Sequence, residues 1–381
     1  MQRVVAYSFL LIAGMGLSQL PSLEPLRPMV SAATMIFLAY IMIQVGLEFD
    51  IDKSQLHKYG IDYLIAMAAA AVPWLCAAVY FWWCFDLGMS ESLLVGRFAS
   101  PTSAGILFAM LAAAGLASTW VYKKARVLAI FDDLDTVLLM IPLKMALIGF
   151  EPKLLVLIIV IVALLAASYF YMHWLRISTS NGWVAVYAFA VWAGCYGFDY
   201  VTESHLEVLL PAFALGCLVK SDHLHGSAEF AVEQPLLTDT RWAEMLDLGI
   251  KSGFMLLAGM ALPPIQFGTL GWTIFPHVIL LTVLTNIGKC VPLAAYGHES
   301  TFRERLALSL GMFPRGEVGI GVLLVSLDIF RQQNSLQLPA VQAAMAIGGL
   351  SLALNLLLTG VFILGVIRLL NSPGVNHARV R

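Results

Sequence analysis

Three carboxylates lie close together in a part of the sequence that is otherwise mainly apolar: Asp132, Asp133 and Asp135. Successive side chains on a helix point about 100° apart, so the adjacent Asp132 and Asp133 face different partners. Asp132 and Asp135 are three residues apart and can share one face. Carboxylate oxygens bind hard cations, and a proton can take the place of the cation. The pattern predicts a site at which a small metal cation and a proton compete for Asp133 and Asp132.

The rest of the chain, which must position these residues, is strongly apolar. Of its 381 residues, 60% are hydrophobic and 12% are charged, whereas soluble proteins contain about 25% charged residues. A soluble domain of this size has no core large enough to bury so much apolar surface. The composition therefore predicts an all-α polytopic membrane protein with about 12 transmembrane helices, because each span needs about 20 apolar residues.

Short polar or Pro/Gly-containing stretches separate the apolar segments. The predicted segments are 4–20, 29–48, 61–85, 92–117, 124–148, 153–174, 183–198, 205–220, 242–262, 271–297, 303–328 and 338–369. They form a first membrane half (1–220) and a second half (242–370), with a cytoplasmic linker (221–241) between them and a short cytoplasmic tail (371–381) at the end.

The basic residues of the predicted loops fall mostly on one side of the membrane. That side includes Arg3, Lys123 and Arg303, whereas Arg27 and Arg331 lie on the other side. Positively charged loops stay in the cytoplasm, so we expect both termini and the linker there. The net charge of −2 argues against nucleic acid as a partner, which would require a basic face.

One basic residue, Lys289, lies inside the predicted tenth helix and matches the acidic cluster in depth. At 1.5 Å per residue, Asp133 and Lys289 both lie about 13 Å from the cytoplasmic end of a hydrocarbon core about 30 Å thick. This equal depth allows an ion pair between Lys289 and Asp132 that opens or closes as protons arrive. The alternative is that the acids are merely neutralised by basic neighbours and have no part in transport.

Two predicted helices carry breaks at mid-depth. The fourth contains Pro101-Thr102-Ser103, and the eleventh contains Pro314-Arg315-Gly316-Glu317. Proline removes a helical hydrogen bond, and unwound backbone is tolerated at membrane depth only where it is buried or lines a cavity. Paired interruptions in two halves of a chain point to a transporter site built from inverted repeats.

In these motifs the chain resembles the bacterial sodium/proton antiporters of the monovalent cation:proton antiporter-2 family, especially the electrogenic group with an Asp-Asp pair. The resemblance covers almost the whole chain. It rests on the order and spacing of several motifs: Gly46-Leu47-Glu48-Phe49-Asp50, Pro101-Thr102-Ser103, Phe131-Asp132-Asp133, Ala212-Phe213-Ala214-Leu215-Gly216, Gly288-Lys289 and Pro314-Arg315-Gly316-Glu317-Val318-Gly319.

The resemblance implies the sodium/proton antiporter fold, with inverted repeats and two unwound crossing helices. A dimerisation domain is implied beside a six-helix core domain formed by predicted helices 3–5 and 10–12. The implied activity is exchange of Na⁺ or Li⁺ for H⁺ by an elevator movement of that core. The expected setting is a homodimer in the lipid of a bacterial inner membrane, without a cofactor.

The resemblance also implies roles for individual residues. Asp133 and Asp132 bind the transported cation or proton, Thr102 and Ser103 border the site, and Lys289 is the charge partner of Asp132. Supporting roles are implied for a charge pair in the second break, Arg315 and Glu317. If Lys289 releases a proton on pairing with Asp132, exchange is electrogenic, with more protons than sodium ions moved per cycle.

The sequence departs from the family pattern after the aspartate pair, where Asp135 and Thr136 are followed by Lys144. The additional acid could change ion selectivity or proton number, or it could pair with Lys144 or another cation. Three other functions stay open from the sequence. They are K⁺/H⁺ antiport or K⁺ efflux within the same family, a channel or sensor, and an intramembrane aspartyl protease.

Overall fold

A computed structural model of the protein describes residues 2–47, 56–103, 107–108, 110–111, 114–139, 143, 159–160, 162–164, 166–167, 170–171, 174–202, 208–219, 241–264, 271–333 and 335–371. This part of the chain is nearly all helical and contains thirteen α-helices. They are α1 Gln2–Leu17, α2 Arg27–Leu47, α3 Leu56–Phe85, α4 Met89–Gly96, α5 Trp120–Leu138, α6 Asn181–Thr202, α7 Leu209–Leu218, α8 Arg241–Ala261, α9 Ile274–Gly288, α10 Val291–Ala295, α11 Phe302–Gly311, α12 Glu317–Gln332 and α13 Pro339–Asn371.

Four helical stretches of the described chain are long and apolar enough to cross a membrane. They are Pro21–Leu47, Gly60–Phe85, Gly271–Ala295 and Pro339–Asn371. The predicted apolar segments overlap the observed helices wherever both can be compared. Segment 153–174 and linker 221–241 fall largely outside the described residues, so the total of about 12 spans stays a prediction.

Both predicted breaks occur, and they lie against each other. After α4, a 3₁₀ turn at Arg97–Ala99 leads into non-helical backbone at residues 100–103, and residues 313–316 are non-helical between α11 and α12. The amide of Ser103 donates to the carbonyl oxygen of Pro314 at 2.8 Å. Each break thus supplies a hydrogen-bond partner that the other needs in a medium without water.

Glycine pairs bring helix backbones close together in one part of the molecule. A Cβ atom added at Gly14 of α1 would lie 3.0 Å from the Cα of Gly259 in α8, and one at Gly46 of α2 would lie 2.9 Å from the Cα of Gly216 in α7. Real Cβ atoms do not approach backbone so closely, so only glycine permits this packing. Small residues at such crossings are typical of membrane helices.

The helices form two groups by their contacts. In the first group, α1, α2 and α6–α8 pack on one another, and in the second, α3–α5 pack with α9–α13. The groups meet where α1 contacts α13 and where α2 and α8 contact α12. At one such contact, the Arg331 Nη2 donates to the carbonyl oxygen of Ala261 at 3.1 Å. Both breaks and the acidic cluster belong to the second group.

Candidate functional site

A fully buried ion pair lies at the centre of the second group. The Nζ of Lys289 is 2.6 Å from Oδ2 of Asp132, and neither side chain is exposed. Lys289 directly follows α9, where the carbonyl end of the helix favours a cation. Its ammonium also donates to the backbone carbonyl of Ser100 in the first break. The pair therefore joins α5, the end of α9 and the first break.

The first break surrounds Asp132 with further hydrogen bonds. The Thr102 hydroxyl lies 2.7 Å from the same Oδ2 atom, to which it donates. The Thr136 hydroxyl, one turn along α5, lies 2.7 Å from the carbonyl of Asp132 and 2.9 Å from the hydroxyl of Ser100. One oxygen of Asp132 is thus saturated by donors, whereas Oδ1 has no hydrogen-bond partner among the described residues.

Asp133 differs from its neighbour because no described residue forms a hydrogen bond with its carboxyl group. Its side chain is 1% exposed, and in the described part of the chain neither carboxyl oxygen receives a hydrogen bond. Buried polar groups are nearly always hydrogen-bonded, so each exception calls for an explanation. A buried carboxylate without a partner is a group that gains most from a cation or a proton.

Ser103 contacts a carboxylate outside the aspartate pair. Its hydroxyl donates to Oε2 of Glu317 at 3.1 Å. Glu317 begins α12, where the positive end of the helix favours an acid. Both residues lie where sequence analysis placed them, at the two breaks, but Ser103 is engaged with Glu317.

Arg315 is a buried cation whose side chain forms several hydrogen bonds. Its guanidinium donates to the carbonyl oxygens of Ala99 and Thr285, both at 2.9 Å, and to Oδ1 of Asn286 at 2.7 Å. The fork of guanidinium N–H groups suits carbonyls left free at a helix end and at a break. The expected Arg315–Glu317 charge pair does not form among these contacts, and Arg315 instead ties the two breaks to α9.

Sequence analysis missed two asparagines that complete this arrangement. Asn286 bonds Arg315, and it accepts from Nδ2 of Asn355 in α13 at 2.9 Å. Oδ1 of Asn355 accepts from the backbone amide of Arg315 at 3.0 Å. The sequence contains a feature that could have identified them, because a side-chain amide within a long apolar helix is unfavourable unless it has a hydrogen-bond partner.

Asp135 is the third buried carboxyl on α5. It is 2% exposed, and Tyr63 of α3 lies next to it. Its Oδ2 has no partner among the described residues. The other suggested partner, Lys144, lies outside the described residues.

A second lysine within a helix, Lys251 in α8, has a different environment. Its Nζ is 3.0 Å from Oδ2 of Asp247, and the two side chains are 28% and 27% exposed. Asp247 also accepts from Tyr40 at 3.2 Å and Gln44 at 2.9 Å. This pair belongs to the first group of helices, apart from the acidic cluster.

Comparisons with known proteins agree on one family and fold. The family model described as "Sodium/hydrogen exchanger, transmembrane" matches residues 3–363. The structure of the sodium proton antiporter MjNhaP1 from Methanocaldococcus jannaschii at pH 8 superposes with a TM-score of 0.67 at 15% identity, covering 95% of this chain and 92% of that chain. An electron-microscopy map of the same antiporter gives a TM-score of 0.54 at 16% identity, with coverages of 93% and 90%. No curated protein sequence matches the chain. At these identities the two structures show a shared fold.

Proposed function

The chain belongs to the sodium/hydrogen exchanger family, and we propose that it is a secondary active transporter exchanging Na⁺, and also Li⁺, for H⁺. The observation that carries this proposal is Asp133, a buried carboxyl whose two oxygens have no hydrogen-bond partner among the described residues. The neighbouring Asp132 already has Lys289 as its counter-charge. Charge on Asp133 thus has to be balanced by a ligand, because an unbalanced charge at membrane depth is unfavourable by several kcal/mol.

Competition at Asp133 couples the two ions. A Na⁺ ion requires the ionised carboxylate, whereas a proton removes that charge, so each ligand excludes the other. Within the aspartate pair, three carboxyl oxygens have no partner among the described residues: two on Asp133 and Oδ1 of Asp132. Carboxylate oxygens are ligands of the type that a hard cation prefers. Either ligand neutralises Asp133, whereas the empty site stays charged.

Neutralisation controls movement in the mechanism that we propose. The second group of helices holds Asp132, Asp133 and Lys289. Among the described residues, its main contacts with the first group are those of α13 with α1 and of α12 with α2 and α8. We propose that this second group moves as an elevator against the first, carrying an occupied site across the membrane. A charged, empty site resists the move because its carboxylate would pass through apolar surroundings without a counter-charge.

Further features of the proposal follow from the resemblance to the Asp-Asp antiporters. Exchange is electrogenic, the protein is a homodimer with cytoplasmic termini, and its membrane is a bacterial inner membrane. Twelve spans with two unwound crossing helices complete the architecture, and the adjoining breaks at Ser103 and Pro314 support the crossing. A protease is disfavoured because Asp132 is already paired with Lys289 and because the family consists of transporters.

The test is transport in proteoliposomes carrying an imposed pH gradient and a pH-sensitive dye. Addition of Na⁺ or Li⁺ is expected to dissipate the gradient, and Asp133→Asn is expected to abolish this because asparagine carries neither charge nor exchangeable proton. K⁺ is added in parallel, and dissipation by K⁺ alone would identify K⁺/H⁺ exchange.

A matched control is Asp86→Asn. Asp86 lies in the exposed turn between α3 and α4, with a φ of 50°, a conformation that asparagine adopts readily. The Asp86→Asn variant should therefore transport ions like the wild type. Absence of cation-dependent dissipation in the wild type contradicts exchange, and full activity of Asp133→Asn contradicts the assignment of the site.

A further inference from the structure

Two prolines follow the end of α8 and leave its carbonyl groups in need of a donor. The helix ends at Ala261, which is 2% exposed, and the chain continues through Leu262 to Pro263 and Pro264. The last carbonyl groups of a helix have no intrahelical partner, and N–H groups of the next residues commonly bind them. Proline has no N–H group. The buried carbonyl end of α8 therefore requires a donor from elsewhere in the molecule.

Arg331 of α12 supplies this donor. Its Nη2 donates to the carbonyl oxygen of Ala261 at 3.1 Å, where the negative end of the α8 macrodipole favours a cation. Its Nη1 donates to Oδ1 of Asp328, three residues back on α12, at 3.0 Å, which orients the guanidinium. Because α8 belongs to the first group of helices and α12 to the second, the bond from Arg331 to Ala261 joins the two groups.

The residue after Ala261 makes another contact between the groups. Leu262 is 1% exposed and packs against Gly349 of α13, where an added Cβ atom would lie 2.7 Å from Cδ1 of the leucine. Glycine at position 349 thus leaves the space that Leu262 occupies, and a larger residue would displace the leucine. The same end of α8 is held by α12 through a hydrogen bond and by α13 through packing.

On the basis of the elevator exchange proposed above, we propose that these two contacts form a latch that holds the second group in its present position. The latch consists of the bond from Arg331 to Ala261 and the contact of Leu262 with Gly349. Movement of the second group along the first breaks the bond, because its donor and its acceptor lie on different groups. The latch therefore sets the ratio between the two positions of the group that carries Asp133.

The test measures this ratio as a distance distribution between one spin label on each group, in lipid nanodiscs. Suitable label positions are Trp83 of α3 and Tyr200 of α6, because their side chains are 80% and 84% exposed. The native cysteines are replaced by alanine, and labelled protein is diluted with unlabelled protein. Arg331→Leu should raise the less populated position about fivefold, since a charged hydrogen bond contributes more than that when buried and less at partial exposure.

Arg305→Leu is the matched control. Arg305 of α11 also donates to a helix carbonyl, that of Leu293 in α10, at 2.8 Å. Both helices belong to the second group, so loss of this bond should leave the distance distribution unchanged. An unchanged distribution in Arg331→Leu, or an equal shift in Arg305→Leu, overturns the latch.

Gly349→Ala tests the packing contact. The added methyl group displaces Leu262, so the distribution should shift in the same direction as in Arg331→Leu. Gly365→Ala is the control on the same helix, because its added Cβ would lie 3.5 Å from Leu310 of α11, an ordinary contact within the second group. Equal distributions in the two glycine variants would remove the packing contact from the latch.

A transport measurement separates the latch from a merely structural role. Only the position open to one side binds Na⁺ from that side, so apparent affinity follows the population of that position. In oriented proteoliposomes, Arg331→Leu should lower the KM for Na⁺ about fivefold on the side to which the less populated position opens. A variant that is only less stable loses maximal rate on both sides with unchanged KM. If the proposed exchange fails, the wild type shows no cation-dependent flux, and the distance measurement alone decides the latch.

Discussion

Replacing Lys289 with methionine tests the central ion pair most directly. Methionine keeps an unbranched side chain that fills the space, but Asp132 loses its counter-charge. Both side chains of the pair are fully buried, with 2.6 Å between Nζ and Oδ2. Removing one partner of such a pair destabilises a protein by about 3–5 kcal/mol, so we expect a loss of that size in the free energy of unfolding at pH 8.

The pH dependence of this loss identifies its cause. In the variant, the folded protein relieves the unpaired charge by taking up a proton on Asp132, whereas the unfolded chain leaves that carboxylate ionised. The folded state then binds more protons, so stability falls as pH rises, by about 1.4 kcal/mol per pH unit. The loss is expected to be small near pH 5 and to grow toward pH 8.

The assay is equilibrium unfolding in mixed detergent micelles, followed by circular dichroism. Adding Asp132→Asn to Lys289→Met removes the unpaired charge and should recover most of the loss at pH 8. The matched control is Lys251→Met, whose pair with Asp247 is 28% and 27% exposed. Asp247 is only partly buried and keeps hydrogen bonds from Tyr40 and Gln44, so this control should lose less than Lys289→Met. Equal losses for the two lysine variants would refute the reasoning.

Two further predictions concern packing around the site. Gly14→Leu should prevent the close approach of α1 and α8 and cost more than about 3 kcal/mol, whereas Gly16→Leu, which has nothing within 4 Å, should behave as wild type. Size-exclusion chromatography and thermal melting measure this, and two equal melting curves would contradict it. Arg315→Lys should cost about 3 kcal/mol or more, because an ammonium cannot replace the three contacts of the guanidinium fork and each charged hydrogen bond contributes about 1.5–3 kcal/mol. If Arg315→Lys unfolds at the same denaturant concentration as the wild type, these contacts contribute little to stability.

Much of the architecture could be predicted because it depends on local properties of the chain. Long apolar segments mark helices, and the breaks at Pro101 and Pro314 follow from the hydrogen bond that each proline removes. The depth of Asp133 and Lys289 follows from the helical rise. The cost of burying a charge is large wherever it occurs in a membrane, so the residues of the acidic cluster could be singled out before any contact was known.

The partners of those residues could not be predicted, because contacts between distant segments depend on how the helices pack. Equal depth allowed Lys289 and Asp132 to meet. The resemblance implied a charge pair of Arg315 and Glu317, whereas the side-chain hydrogen bonds described for Arg315 go to two backbone carbonyls and Asn286. The backbone carbonyls that a helix break frees can belong to residues of any type. The sequence therefore does not indicate which donor binds them.

From the order of residues alone we could predict which charges lie within apolar segments and how deep they would sit in a membrane, since composition and helical rise depend on nothing else. Which acid has hydrogen-bond partners and which does not depends on how the helices pack. Asp132 and Asp133 are adjacent and chemically identical, but helix geometry turns one toward Lys289 and Thr102 and leaves the other without a partner among the described residues. That difference arises from three packed elements at once, and it is the basis of our proposal that ions compete at Asp133.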